Sequence, residues 1–216
     1  MTIRAKICGV TTIEAASAAI NDSADYLGFI HFPKSPRHLP LNAMADLMSA
    51  VRRAHSHVQL VSVVVDPSDE LLQSLARDVR PDVIQLHGHE PVERVAEVKA
   101  RYALPVIKVI SVETAGDVTD AVAYEAVADF LMFESKPPKG AALPGGLGLS
   151  FDWPLMKAWT GAKPWFLAGG LNPANVAEAL RLSGAPMVDV SSGVEMSPGV
   201  KDIRLISSFL KAVKLV

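Results

Sequence analysis

Short apolar runs alternate along this chain with longer stretches in which apolar residues recur at intervals of three and four. A short run rich in Val, Ile, Leu and Phe suits a strand buried on both faces, whereas the wider spacing lays one stripe of a helix against a core. Strands are expected over 5–9, 26–31, 60–65, 83–87, 106–110, 129–134, 165–168 and 187–191. Helices are expected over Ile13–Asn21, Leu41–Ala54, Asp69–Val79, Val92–Arg101, Ala174–Ser183 and Asp202–Val213, with the pattern blurred after the fifth and sixth strands. Such alternation is the mark of parallel βα units. About eight units in ~200–250 residues close into a (β/α)8 TIM barrel, an α/β fold predicted here as one domain over 1–216. The competing doubly wound sheet is disfavoured by the first strand-to-helix turn, Gly9-Val10-Thr11-Thr12, which lacks a dinucleotide fingerprint.

Composition supports one large core: the 216 residues are 50% hydrophobic and 20% charged. A net charge of −2, without any Lys/Arg run, gives no general pull toward nucleic acid or an anionic membrane, so any anion must be bound locally. The single cysteine cannot form an internal disulfide, which fits a reducing compartment. The first residues lead into a short strand rather than a signal-peptide core, and no apolar run approaches ~20 residues. A soluble, cytoplasmic protein is the expectation.

In a barrel of this kind the carboxyl ends of the strands carry the chemistry, which directs attention to the residues there. Cys8 ends the first strand; it is either a small buried hydrophobe or a base or nucleophile whose thiolate is favoured by helix N-termini or cations. Arg37, between Pro36 and His38, is either a solvated surface charge or a guanidinium held by the flanking prolines to clamp a substrate carboxylate. His87 ends the fourth strand, as a core histidine or a polar group at the mouth near Cys8. Glu134 closes the sixth strand, and Asp189 shares a face of the eighth with Ser191. Either carboxyl is a structural hydrogen-bond acceptor or a general acid with a pKa raised by burial. Gly169-Gly170 and Ser192-Gly193 follow the last two strands, where backbone N–H groups commonly bind phosphate. Gly145-Gly146-Leu147-Gly148 lacks the ending of a P-loop, and the stretch from Pro137 to Leu149 is expected to be a lid. Asp152, before Trp153-Pro154, reads as a helix N-cap. No His, Cys or acidic spacing suggests a metal.

Several segments together resemble the phosphoribosylanthranilate isomerase family. They are Lys6-Ile7-Cys8-Gly9, Gly28-Phe29-Ile30 through Pro33-Lys34-Ser35-Pro36-Arg37, Gln85-Leu86-His87-Gly88, and Gly145-Gly146-Leu147-Gly148 through Phe151-Asp152-Trp153. They continue with Leu167-Ala168-Gly169-Gly170-Leu171-Asn172-Pro173 and Asp189-Val190-Ser191-Ser192-Gly193-Val194-Glu195 through Pro198-Gly199-Val200-Lys201-Asp202. The resemblance spans nearly the whole chain in colinear order. It implies a cofactor-free barrel of tryptophan biosynthesis that opens the ribose ring of N-(5-phosphoribosyl)anthranilate and isomerises it by an Amadori rearrangement. It also implies Cys8 as general base, Glu134 as general acid, Arg37 on the anthranilate carboxylate, Gly170, Ser192 and Gly193 at the phosphate, and Asp189 near the sugar hydroxyls. Two positions depart from the family pattern, which has Asp where Glu134 stands and a small polar residue where Leu147 stands. These departures keep open a catalytically impaired or non-catalytic sugar-phosphate-binding barrel; the other alternative, a related aminoaldose-phosphate isomerase, resembles a two-aspartate arrangement that Cys8 and Glu134 do not supply.

Overall fold

The computed structural model describes residues 2–55, 57–136, 138, 140, 141 and 145–216. At its centre eight parallel strands close into a barrel in chain order. They are β1 (Arg4–Cys8), β2 (Tyr26–Ile30), β3 (Gln59–Val64), β4 (Val83–Leu86), β5 (Val106–Val112), β6 (Phe130–Ser135), β7 (Trp165–Leu167) and β8 (Met187–Val190). Closure comes from β1, which pairs with β2 on one side and β8 on the other, setting Cys8 opposite Gly28 and Lys6 opposite Asp189. No strand of the barrel is left with an open edge.

Side chains on a strand alternate between its two faces, so each barrel strand sorts its residues into two packed layers. Ala5 and Ile7 face outward into the larger apolar cluster, beneath the helices, while Cys8 belongs to the smaller cluster inside the barrel. The amino-terminal half of the interior is plugged by rings: Tyr26 stands edge-on to Phe166 at 5.3 Å and to Phe130 at 6.3 Å. With that end filled by apolar groups, the inward positions at the carboxyl ends form the open mouth.

The outer layer consists of α1 (Ile13–Asn21), α2 (Leu41–Ala54), α3 (Asp69–Ser74), α4 (Val92–Tyr102), α5 (Ala115–Asp120), α6 (Val176–Ser183) and α7 (Ile203–Lys214). The apolar stripe of α7, Ile206, Phe209, Leu210 and Val213, is fully packed, as its spacing predicts. Side-chain caps start several helices just beyond the mouth: Thr12 accepts from the Ala15 amide, Ser68 from Leu71, and Asp202 from Arg204 and Leu205.

The strands fall within two residues of their sequence-based bounds at every end, and α1 and α2 match theirs. The helix expected over 69–79 is α-helical only to Ser74 and continues as a π-helical turn over Leu75–Val79, closed by the Arg80 amide on the Leu75 carbonyl at 2.8 Å. The blurred fifth and sixth helices have a structural counterpart. The short α5 runs into a 3-10 turn at Ala121–Tyr124, and β6 is followed by a 3-10 helix at Trp153–Ala158 instead of an α-helix. Asp152 does occupy the N-cap position of that turn, with Pro154 just inside, but its side chain makes no capping hydrogen bond. In the stretch expected to be a lid, Pro137, Lys139, Ala142, Leu143 and Pro144 lie outside the described residues. Among the described residues no helix is long and apolar enough to cross a membrane.

Phe133, facing outward from β6, is fully buried between Trp159 at 5.3 Å and Trp165 at 5.6 Å. Phe133→Ala leaves a cavity that three rigid elements cannot collapse, and is expected to lower stability by about 3–5 kcal/mol. Urea unfolding measures it, and a loss below ~1 kcal/mol would show that this contact is not a rigid part of the core.

Candidate active site

Five of the residues singled out in the sequence, Cys8, Arg37, His87, Glu134 and Asp189, line one cavity at the carboxyl end of the barrel. Strand parity explains four of them. Cys8 and Asp189 are inward positions on β1 and β8, Glu134 is inward on β6, and His87 continues the inward parity of Val83 and Gln85 from β4.

Cys8 is 5% exposed and stands beside a lysine that is wholly enclosed. Lys6 points inward from the same strand and donates to Asp189 Oδ1 at 2.8 Å. Gly28 makes room for both groups, since a Cβ there would lie 2.8 Å from Cys8 Sγ and 3.0 Å from Lys6 Nζ. Burial works against the charge of Lys6, but Asp189 and Cys8 outweigh it and hold the amine above the usual lysine pKa. For Cys8 the balance goes the other way. Burial pushes the thiol up, and Lys6 and Lys201 do not compensate. The thiolate expected from neighbouring cations is thus not the resting form, because desolvation of a fully enclosed sulfur exceeds their attraction.

Glu134 sits across the cavity with Oε2 at 2.8 Å from His87 Nε2 and Oε1 accepting from the Gly146 amide at 3.0 Å. The His87 contact is an ion-pair distance without the alignment of a good hydrogen bond. Behind it, Gln85 Nε2 lies 3.3 Å from His87 Nδ1. Burial raises the Glu134 pKa, but His87, the Gly146 amide and Lys6 reverse the outcome and hold the carboxyl below the usual carboxylate range. The pKa raised by burial that the sequence suggested for this carboxyl is therefore corrected for the unliganded protein. Gly145 permits the close approach: a Cβ there would overlap the Glu134 carboxylate and come within 2.6 Å of His87 Nε2.

Arg37 is not the exposed loop charge that its sequence position suggested; it is 4% exposed. Nor do the prolines hold its guanidinium. Glu195 does, through a fork of Nε to Oε1 at 2.7 Å and Nη2 to Oε2 at 2.8 Å. Glu195 lies just past β8 in a two-stranded hairpin, β9 (Glu195–Ser197) and β10 (Val200–Lys201), and also accepts from Lys201 Nζ at 2.8 Å. Burial opposes the Glu195 charge, yet Arg37 and Lys201 keep it below the usual carboxylate range. Lys201 is pulled below the usual lysine value by burial, despite Glu195.

The four glycine-turn positions meet beside this cavity. A side chain at Gly193 would overlap the Leu171 carbonyl, so the turns after β7 and β8 are in direct contact. Gly169 and Gly170 have φ of +84° and +62°, a left-handed backbone that glycine adopts without strain. Leu149 and Ser150 cover them, with a Gly170 Cβ falling 2.8 Å from the Ser150 amide. Among the described residues, the amides of Gly170, Ser192 and Gly193 have no acceptor, and a short 3-10 helix begins at Ser192. Unpaired amides at a helix start suit an anion.

Three residues of the site had not been singled out in the sequence: Lys6, Glu195 and Lys201. Lys6 had a signal, because it precedes Cys8 by two positions and must share its inward face. Glu195 and Lys201 flank Pro198-Gly199, which marks a hairpin but does not say what the hairpin meets.

With this geometry in view, comparisons with known proteins agree on a family. The model of the family described as N-(5'phosphoribosyl)anthranilate (PRA) isomerase matches residues 5–212. A protein of that name from Paramagnetospirillum magneticum is 50% identical over 214 residues, covering 99% of this chain and 98% of the relative. One from Brucella canis is 49% identical over 213 residues, covering 99% and 95%. Among solved structures, phosphoribosyl anthranilate isomerase from Thermotoga maritima superposes with a TM-score of 0.86 at 32% identity, covering 99% of this chain and all of the other. A structure described as phosphoribosyl anthranilate isomerase in complex with reduced 1-(o-carboxyphenylamino)-1-deoxyribulose 5-phosphate gives a TM-score of 0.82 at 31% identity, covering 99% of this chain and all of the other.

The burial of Cys8 has a measurable signature. Its alkylation by iodoacetamide is expected to follow a pH curve with a midpoint above that of an ordinary exposed thiol, and Lys6→Met is expected to move the midpoint higher still. A midpoint at or below the ordinary value, or a downward move on removing Lys6, would contradict an environment governed by burial and opposed by Lys6.

Proposed function

The chain belongs to the N-(5'-phosphoribosyl)anthranilate isomerase family, and from that premise we infer how its cavity carries the reaction. The enzyme is an aldose–ketose isomerase of tryptophan biosynthesis that converts N-(5'-phosphoribosyl)anthranilate to 1-(2-carboxyphenylamino)-1-deoxyribulose 5-phosphate. The single observation that supports our assignment of roles is that one cavity presents both a thiol, Cys8, and a carboxyl, Glu134, beside the guanidinium of Arg37.

A proton delivered to the ring oxygen by Glu134 lets the C1–O bond break, with the anthranilate nitrogen supplying the electron pair that forms the C1=N bond. Cys8 then removes the proton from C2; the electron pair left behind forms the C1=C2 bond, and the iminium nitrogen becomes an amine again. Tautomerisation of the resulting enol gives the ketone. Every atom and electron of the substrate is retained, so two proton-transfer groups and accurate positioning suffice. Arg37 holds the anthranilate carboxylate, while the turns of Gly169, Gly170, Ser192 and Gly193 hold the phosphate. Asp189 lies near the sugar hydroxyls and His87 partners the acid. These anchors fix the two ends of the substrate with the reacting carbons between them.

The unliganded protein holds both groups in the opposite protonation states, Cys8 as thiol and Glu134 as carboxylate. The phosphate and carboxylate of the substrate favour protonation of Glu134 by like-charge repulsion; the same repulsion opposes the Cys8 thiolate, which Lys6 and Lys201 favour. Reverse protonation of this kind leaves a small active fraction that is constant between the two pKa values. Of the two departures from the family pattern, only Glu134 faces the cavity; Leu147 is 40% exposed and outside its lining. A single barrel domain over 1–216 in the cytoplasm, acting on a small phosphorylated substrate without nucleic-acid or membrane partners, completes this reading. Its support is the one unpaired cysteine and the near-neutral net charge.

Cys8→Ala and Glu134→Gln are each expected to fold and to lower kcat by about 100- to 10,000-fold, and Glu134→Asp to retain activity or improve it. For the unaltered enzyme, kcat/KM should be flat between an acid limb below the ordinary carboxylate range and a basic limb above the ordinary thiol range. Turnover assays on freshly generated substrate provide the check. Near-normal activity in Cys8→Ala would remove it as the base, and wild-type activity in Glu134→Gln would point to Asp189.

A further inference from the structure

We propose that Glu195 is the positioning residue that aims Arg37 at the substrate carboxylate, and that the hairpin after β8 is the frame on which the specificity of this end of the cavity is built. The inference rests on the reading of Arg37 as the carboxylate anchor. A guanidinium has five N–H groups, and Glu195 occupies one side of it, the Nε and one Nη2 hydrogen, at 2.7 and 2.8 Å. Three remain, and two of them, one each from Nη1 and Nη2, form the end face, which is itself a fork matched to a second carboxylate. That face is kept clear by the absence of a side chain at Gly146, where a Cβ would sit 3.0 Å from Nη1.

Glu195 is fixed in turn. Lys201 Nζ donates to its Oε1 at 2.8 Å and to the Ser191 carbonyl at 2.9 Å. Ser191 Oγ donates to the Cys8 carbonyl at 3.1 Å. The side chains of Arg37, Glu195 and Lys201 are only 5%, 3% and 2% exposed. One enclosed polar chain therefore joins the carboxylate anchor to the strand end that carries the thiol. A long arginine side chain otherwise loses rotamer freedom on binding; here that freedom is already removed before the substrate arrives.

The test separates geometry from charge. Glu195→Asp keeps the charge but shortens the reach, whereas Glu195→Gln combined with Lys201→Met keeps the net charge of the trio and loses the fork. Binding is measured calorimetrically, after thermal melts confirm folding, with two probes. One is the reduced product analogue, 1-(2-carboxyphenylamino)-1-deoxyribitol 5-phosphate; the other is its phenylamino counterpart without the carboxylate. Each variant is expected to lose about tenfold or more in affinity for the carboxylate-bearing probe, with less than about threefold change for the other. Equal losses for both probes would reduce Glu195 to a structural role and overturn the proposal. Wild-type affinity in both variants, beside a tenfold loss in Arg37→Ala, would overturn it while leaving Arg37 as the anchor. Wild-type affinity in Arg37→Ala would instead remove the reading on which the proposal stands.

Discussion

Burial of charge is the constraint on which the rest of this structure depends. Among the described residues, the buried charged side chains Lys6, Arg37, Glu90, Lys108, Glu134, Asp189, Glu195 and Lys201 each meet an oppositely charged or ionisable partner within 2.8 Å. An unpaired charge in such surroundings would lose several kcal/mol to desolvation or give up its ionisation. Pairing is what lets a mostly apolar barrel present so many polar groups at one mouth. The pairs also tie elements together that share no sequence proximity, β1 to β8 through Lys6 and Asp189, and β4 to β6 through His87 and Glu134.

The same desolvation gives opposite outcomes at the two groups assigned to proton transfer. Glu134 has His87 and the Gly146 amide directly on its oxygens, so its charged form is stabilised in place. Cys8 is as enclosed as Glu134, yet its nearest cation, Lys6, is already committed to Asp189, and the neutral thiol wins. In the resting cavity a neutral thiol therefore faces a charged carboxylate.

Pairs outside the cavity shape it as well. Lys108 donates to Glu90 at 2.6 Å and to the Gly88 carbonyl at 2.8 Å, while Glu90 accepts from the amides of Gly88 and Asp66. This buried knot fixes the turn that follows β4, and with it the position of His87 beside Glu134. Fold stability and site geometry are thus set by the same contacts.

Sequence by itself determined the alternation of elements and, through strand parity, which face of each strand holds Cys8, His87, Glu134 and Asp189, because these depend on interactions along the local chain. The same parity carried a signal for Lys6, two residues from Cys8, that the sequence reading passed over. The helices after β5 and β6 were blurred because their turns are short and 3-10 in character, with weak periodicity to read. Only the tertiary structure decided that Arg37 is buried, since the carboxylate that holds it comes from 158 residues away. Only it decided the protonation states of Cys8 and Glu134, which follow from the enclosure and the partners that the closed barrel brings together from distant segments. Local pattern fixes where a side chain points; the folded chain fixes what it meets there, and the charge it carries is the balance of the two.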